Sequence, residues 1–297
     1  MSNRVKMQHY VPRFYLRNFA ADTSASTPTV HCFDKPNRRQ FTTSITNVGG
    51  ENYFYDIPED PEQEFESQLA AIEGEFSDAY ASLLSNGDLG GLDENDRSAI
   101  AYSIAIQELR TRENRERFRE MVSKLREQLE GEAMTDEMEE QMEEIRELDT
   151  EEGVSRFQRE FIQDNAWDLA EIILSMKWIL FVNDTEMPYW TSDHPIVRHN
   201  HLDHSPYGNL GLQSEGIQVY FPLSPTVSIA FCDPVMFGHL PAKSSVDRDH
   251  VRFQNSLQIR ESTRHVIAST SEFLMANAFL EDYPQYAELN RDRVSVE

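Results

Sequence analysis

The 297 residues hold 52 acids against 27 bases, a formal net charge of −25, and only five of the bases are lysine. No stretch approaches the roughly 18 consecutive apolar residues of a membrane-spanning helix. The chain also lacks the GxSxG, P-loop, HExxH and GxGxxG motifs, which argues against the commonest hydrolase, triphosphatase, zincin and dinucleotide-binding classes.

Cys32 and Cys232 lie in apolar surroundings without CxxC spacing and read as reduced core thiols. Nothing at the N-terminus reads as a signal peptide, so the expected location is cytoplasmic, with no membrane partner. The acidic, lysine-poor composition has the pattern of salt-adapted, halophilic-archaeal-type proteins. In molar salt the Debye length falls to about 3 Å, and charge then serves mainly solubility. Net charge therefore leaves a nucleic-acid partner open.

The chain opens on a dense run. Tyr10, Val11, Phe14, Tyr15, Leu16 and Phe19 surround His9, Pro12, Arg13 and Arg17. The apolar side chains imply burial, and the polar ones then need partners. Residues 30–33 are predicted as a strand, residues 34–37 as a turn, and residues 41–48 as the pairing strand. A compact aromatic trio, Tyr53, Phe54 and Tyr55, precedes the break between Pro58 and Pro61.

Helical periodicity then takes over. Phe65, Leu69, Ile72 and Phe76 recur at helical spacing, with Glu66 and Glu73 seven residues apart on one face. Asp93 is the expected N-cap of a helix over 95–130. Residues 131–153 read as an acidic helical or flexible insertion; within 132–152 there are eleven acids and one base, Arg146. A further amphipathic helix is predicted over 157–181, its last residues, 178–182, also suited to an extended strand. Strand patterns follow at 189–197, 217–223 and 227–231, then a helix over 252–262, a strand over 265–268 and a final helix over 272–280. The expected fold is α+β: a single domain over 1–297, with a mixed sheet of N- and C-terminal strands against a central helical segment.

Several short motifs recur in a fixed order. They are the run from Met7 to Phe19, Glu51-Asn52-Tyr53-Phe54-Tyr55, Phe65-Glu66 with Ile72-Glu73, and Gln107-Glu108-Leu109-Arg110-Thr111. Thr191-Ser192-Asp193-His194-Pro195 and Phe221-Pro222-Leu223-Ser224-Pro225 follow, with Asn255, Arg264 and Ser269 at the close. Together they resemble the DUF4238 family of uncharacterised microbial proteins. The chain departs from that pattern at the front, where many relatives carry two adjacent histidines and this one has Gln8-His9. The resemblance implies a relative without implying a settled chemistry.

The candidate catalytic residues are His9, Asp193, Arg110 and Arg264. Asp193 stands where a strand meets a Ser-Asp turn, suited either to a catalytic carboxylate or to an Asx turn that caps its own backbone. Glu66, Glu73 and Asp193 are candidate ligands for Mg²⁺ or Mn²⁺, with a solvated acidic stripe as the other reading of the glutamates. Arg110 suits phosphate or an ion pair with Glu66 or Glu73. His9 suits a general base, a metal ligand or a hydrogen-bonded core residue. His199, His201, Asp203 and His204 resemble a zinc set, yet their Gly- and Pro-rich surroundings favour a solvent loop. Two functions follow. One is a metal-dependent hydrolase of phosphodiesters, with nucleic acid as its substrate; the other is a non-catalytic ligand- or partner-binding module, with a defence or mobile-element setting as one context for it.

Overall fold

The computed structural model describes residues 4–130, 145–202 and 208–293. The N-terminal run forms strand β1 (Met7–His9) and the short helix α1 (Arg13–Arg17), which Pro12 opens. Strand β1 pairs with β4 (Gly50–Asn52) in a two-stranded sheet. Gly50 is required there, because a Cβ would lie 2.7 Å from the Gln8 carbonyl oxygen. Gln8 itself is fully buried. Its Nε2 donates to Asp56 at 2.7 Å and its Oε1 accepts from the Tyr55 amide at 2.7 Å.

The predicted hairpin is present as β2 (Thr29–Asp34) and β3 (Arg39–Ser44), antiparallel throughout. The second strand is shorter than expected, because residues 45–47 tighten into a 3₁₀ turn that the Ser44 side chain caps. The Glu66 and Glu73 periodicity lies on α2 (Glu64–Asn86).

Asp93 caps α3 (Glu94–Leu109) in a capping box with Asp96, as its position predicts. The helix expected over 95–130 is two helices. Leu109 ends α3, and after Arg110 and Thr111 the chain restarts as α4 (Arg112–Glu130). The break is held by side chains: Thr111 Oγ1 accepts the Asn114 amide at 3.3 Å, and Asn114 Nδ2 returns to the Leu109 carbonyl at 3.0 Å.

Most of the expected acidic insertion lies outside the described residues. Its end forms the first turn of α5 (Glu151–Ser175), which starts earlier than predicted at a Thr150 cap. That helix stops at extended Met176, and the β-branched and aromatic run beyond it becomes β5 (Lys177–Asn183).

The region predicted over 189–197 holds two short strands, β6 (Thr191–Ser192) and β7 (Val197–His199). The strands β8 (Gln218–Ser224) and β9 (Val227–Cys232) follow, then helix α6 (Pro234–Phe237) and strand β10 (Lys243–Val246). Helix α7 (Arg248–Glu261), strand β11 (His265–Ala268) and helix α8 (Leu274–Asp282) close the order.

The fold is α+β, with its β structure divided among separate sheets rather than gathered in one. A four-stranded sheet, β3-β2-β11-β6, joins N- and C-terminal strands, and a five-stranded sheet, β10-β5-β9-β8-β7, has one parallel pair, β10 with β5. Helix α3 packs between α2 and α5. One apolar cluster runs from Tyr10 through Leu69, Ile104 and Ile173 to Phe221 and Ile267. Cys32 and Cys232 are both buried free thiols, pushed up to about 12 by desolvation. Among the described residues no helix is long and apolar enough to cross a membrane.

Tyr15 ties the N-terminal run to both larger sheets. Its ring stacks on Phe221 at 4.8 Å, and its hydroxyl lies 2.6 Å from Thr191 Oγ1 and 2.8 Å from the Pro222 carbonyl. Replacing Tyr15 with Phe keeps the packing, leaves the buried Pro222 carbonyl without this donor and takes away the hydroxyl that pairs with Thr191. Urea unfolding should show a loss of about 1–2 kcal/mol.

Candidate functional site

Asp193 directly follows β6 and is almost fully buried. Its Oδ1 accepts the Thr263 amide at 2.9 Å, and its Oδ2 accepts the Arg264 and His265 amides at 2.8 Å each. The expected Asx turn on its own backbone is therefore a cap on another segment, the link between α7 and β11. Ser192 and Gln258 complete the turn: Ser192 Oγ is 2.7 Å from Gln258 Oε1, and Gln258 Nε2 donates to the Pro195 carbonyl at 2.8 Å. The next residue, His194, is thus held in a fixed position.

His9, Glu66, Glu73 and Arg110 gather elsewhere, around the first strand and the facing sides of α2 and α3. Arg110 donates to Glu73 Oε1 at 2.9 Å and to Gln107 Oε1 at 3.1 Å, and Gln107 donates on to the Tyr10 carbonyl at 2.9 Å. Glu66 lies within their electrostatic reach with its Oε2 buried and unpartnered; desolvation raises its carboxyl to about 7, against the pull of Arg110. Burial, with Arg13 and then Arg110, lowers His9 to about 4. The crevice beside Glu73 and Arg110 encloses about 10 Å³, room for one water at most.

Arg264 lies outside that cluster, and its Nε and Nη2 grip Asp34 at 3.1 and 3.0 Å. Asp193 thus spends its oxygens on amides while Glu73 holds Arg110. No group of three His, Cys, Asp or Glu among the described residues is arranged to hold a metal. His199 packs edge-on against Phe253, His201 is exposed, and Asp203 and His204 lie outside the described residues.

Another concavity is one that sequence reasoning did not assemble. A cavity of about 480 Å³ opens beside His194, walled by Glu108 of α3, Glu113 and Arg117 of α4, Arg198 of β7, Arg260 and Glu261 of α7, and the C-terminal Arg291 and Arg293. Glu113 is buried and organises one wall. Its Oε1 accepts from Arg291 at 2.7 Å and Arg293 at 3.1 Å, and its Oε2 accepts from Thr263 at 2.9 Å. Arg117 and Arg260 are held by Glu261 at 2.8 and 2.7 Å. Arg198 reaches Glu108 Oε1 at 2.5 Å through Nη2 and the Leu210 carbonyl at 2.7 Å through Nη1.

Three polar atoms in these walls are buried with no partner among the described residues: Arg198 Nε, Arg291 Nη1 and Glu108 Oε2. Leaving a buried donor unpaired costs on the order of 1–3 kcal/mol, more for a charged group. Such a group calls for a partner, and a water, an ion or a ligand in the cavity can each supply one.

His194 adds a further donor. Its Nδ1 is 2.7 Å from Thr111 Oγ1. That hydroxyl accepts the Asn114 amide and keeps a second lone pair and its own proton for Nδ1; in the tautomer where it donates, the ring proton stands on Nε2. Burial holds His194 well below its ordinary value, and the cations Arg117, Arg291, Arg198 and Lys35 depress it further. Inside a chain of charge −25, the cavity is lined by five arginines against Glu108, Glu113, Glu261 and Asp292. The only hint in the sequence was indirect: Glu108 and His194 fall in two of the recurrent motifs, yet neither was read as a site residue.

The family model described as "Protein of unknown function (DUF4238)" matches residues 7–272. The chain belongs to the DUF4238 family. Glu108, Glu113, His194, Arg198 and Arg260 lie within the DUF4238 match, and Arg291 lies beyond it. Comparison with curated proteins and with solved structures yields no match.

Two tests follow from this geometry. In Asp193→Asn an amide nitrogen replaces one acceptor oxygen against three inward-pointing N–H groups; urea unfolding should show a loss of about 3 kcal/mol or more. For Glu66, whose folded value is raised, the folded state binds the extra proton between pH 4.5 and about 7. Its contribution is thus full below pH 4.5 and is lost as pH rises through 7. Glu66→Gln should be near neutral at pH 4.5 and stabilising by about 1–2 kcal/mol at pH 8, a partly screened value, in paired denaturation curves.

Proposed function

We propose that this protein binds a phosphate-bearing ligand in the arginine-lined cavity beside His194. The observation that carries the reading is the pair of buried, unpartnered guanidinium nitrogens, Arg198 Nε and Arg291 Nη1, in the walls of one cavity. An oxyanion supplies the acceptors both require, and planar guanidinium forks suit phosphate geometry. With Thr111 donating to Nδ1, the Nε2 proton of His194 supplies a third donor to the same ligand.

Of the two functions drawn from the sequence, the ligand-binding module is the better supported. Metal-dependent cleavage of a nucleic-acid phosphodiester needs His9, Glu66, Glu73, Arg110, Asp193 and Arg264 to work together. Asp193 and Arg264 are engaged apart from the other four, and the crevice beside Glu73 and Arg110 is too small for a substrate. Phosphate recognition is the part of that reading the cavity supports.

Calorimetric titration with inorganic phosphate, at matched chloride, should give saturable binding to the wild type. Arg198→Lys and Arg291→Lys keep the charge and lose the fork, and each should weaken binding about tenfold. Phosphate should also raise the His194 value, since a bound anion offsets the cationic field; ring resonances followed through a pH titration would show it. No binding to a folded wild type, or a His194 titration indifferent to phosphate, overturns the reading.

A further inference from the structure

The third unpartnered atom in the cavity has the opposite polarity, and a fully ionised anion does not satisfy it. Glu108 is 4% exposed; its Oε1 is taken by Arg198 and its Oε2 is buried and free among the described residues. Nε and Nη2 of an arginine share one edge of the planar guanidinium. Nη2 of Arg198 is on Glu108 Oε1, and the vacant Nε donor and vacant Oε2 acceptor belong to two joined residues of the same cavity wall. A ligand that fills both must accept one hydrogen bond and donate another.

Building on the phosphate reading, we propose that Glu108 makes this cavity selective for a phosphate that carries a proton, either free hydrogen phosphate or the monoanion of a phosphomonoester. In such a group the P–OH donates to Glu108 Oε2 while a neighbouring unprotonated oxygen accepts from Arg198 Nε. Sulfate and a phosphodiester present acceptors alone. Either would set a negative oxygen against the buried carboxylate and leave Oε2 unsatisfied. A site built to pair a hydroxyl discriminates strongly against analogues that lack it. Glu108 therefore acts as a specificity determinant that turns the cavity away from intact nucleic-acid backbone and towards free phosphate or terminal phosphoryl groups. The cavity, at about 480 Å³, has room for a small organic moiety behind the phosphate.

The test is a set of calorimetric titrations at pH 6, near the second ionisation of a phosphomonoester. The probes are inorganic phosphate, phenyl phosphate, dimethyl phosphate and sulfate, each against the wild type and Glu108→Gln. The glutamine keeps an oxygen for Arg198 and offers an N–H₂ in place of Oε2. The wild type should bind phosphate or phenyl phosphate at least about 100-fold more tightly than sulfate and dimethyl phosphate. Phenyl phosphate tighter than phosphate identifies a monoester ligand, and the reverse identifies the free ion. In Glu108→Gln the preference over sulfate should fall below about tenfold, chiefly because sulfate binds better. If the wild type binds phosphate and sulfate alike, or Glu108→Gln retains the full preference, the selectivity proposal is overturned and phosphate recognition stands. If no oxyanion binds the wild type, both fail together.

Discussion

Three backbone N–H groups converge on one carboxylate, that of Asp193, and much of the half of the molecule around the arginine-lined cavity depends on that convergence. The amides of Thr263, Arg264 and His265 have no helix or strand partner at the point where α7 turns into β11. A buried carboxylate satisfies all three at once, and they in turn compensate its desolvation. The result anchors β6 beside β11, fixes the Ser-Asp-His-Pro turn and sets His194 against Thr111 at the break between α3 and α4. Elements distant in sequence meet at this position.

That break has its own logic. A continuous helix over 95–130 would carry Glu113 and Arg117 along the axis of α3. Ending α3 at Leu109 and restarting at Arg112 redirects α4, and Thr111 serves both the new helix and His194. Glu113 then lies between Arg291, Arg293 and Thr263, and so ties the C-terminal arginines to the cavity wall. The cavity follows from a helix break, a carboxylate cap and the returning C-terminus.

The electrostatics separate outside from inside. Acids dominate the chain as a whole, whereas burial and four nearby cations hold His194 neutral within it. A buried field is screened far less than a surface one, so a few arginines in a cleft can outweigh a large net charge beyond it. The N-terminal cluster shows another use of buried charge. There Arg110, Glu73 and Gln107 pair internally and bind α2 and α3 to the opening strand.

Local pattern was legible wherever one periodicity ruled. The α2 stripe, the Asp93 capping box and the hairpin of β2 and β3 follow from spacing and turn chemistry, physics that acts over a few residues. Membership of the DUF4238 family was legible too, from motifs in order. Pairings across long separations were not. Arg264 seeks Asp34 across 230 positions and Arg291 seeks Glu113 across 178, and in a chain with 22 arginines and 52 acids composition offers no way to choose among partners. The sequence by itself determined the strongly periodic elements, the buried opening run and the family. Only the tertiary structure decided that Asp193 caps a backbone turn and that Glu108, Arg198 and Arg291 leave their vacancies in one cavity, because an unsatisfied group exists only after every nearer partner has been counted.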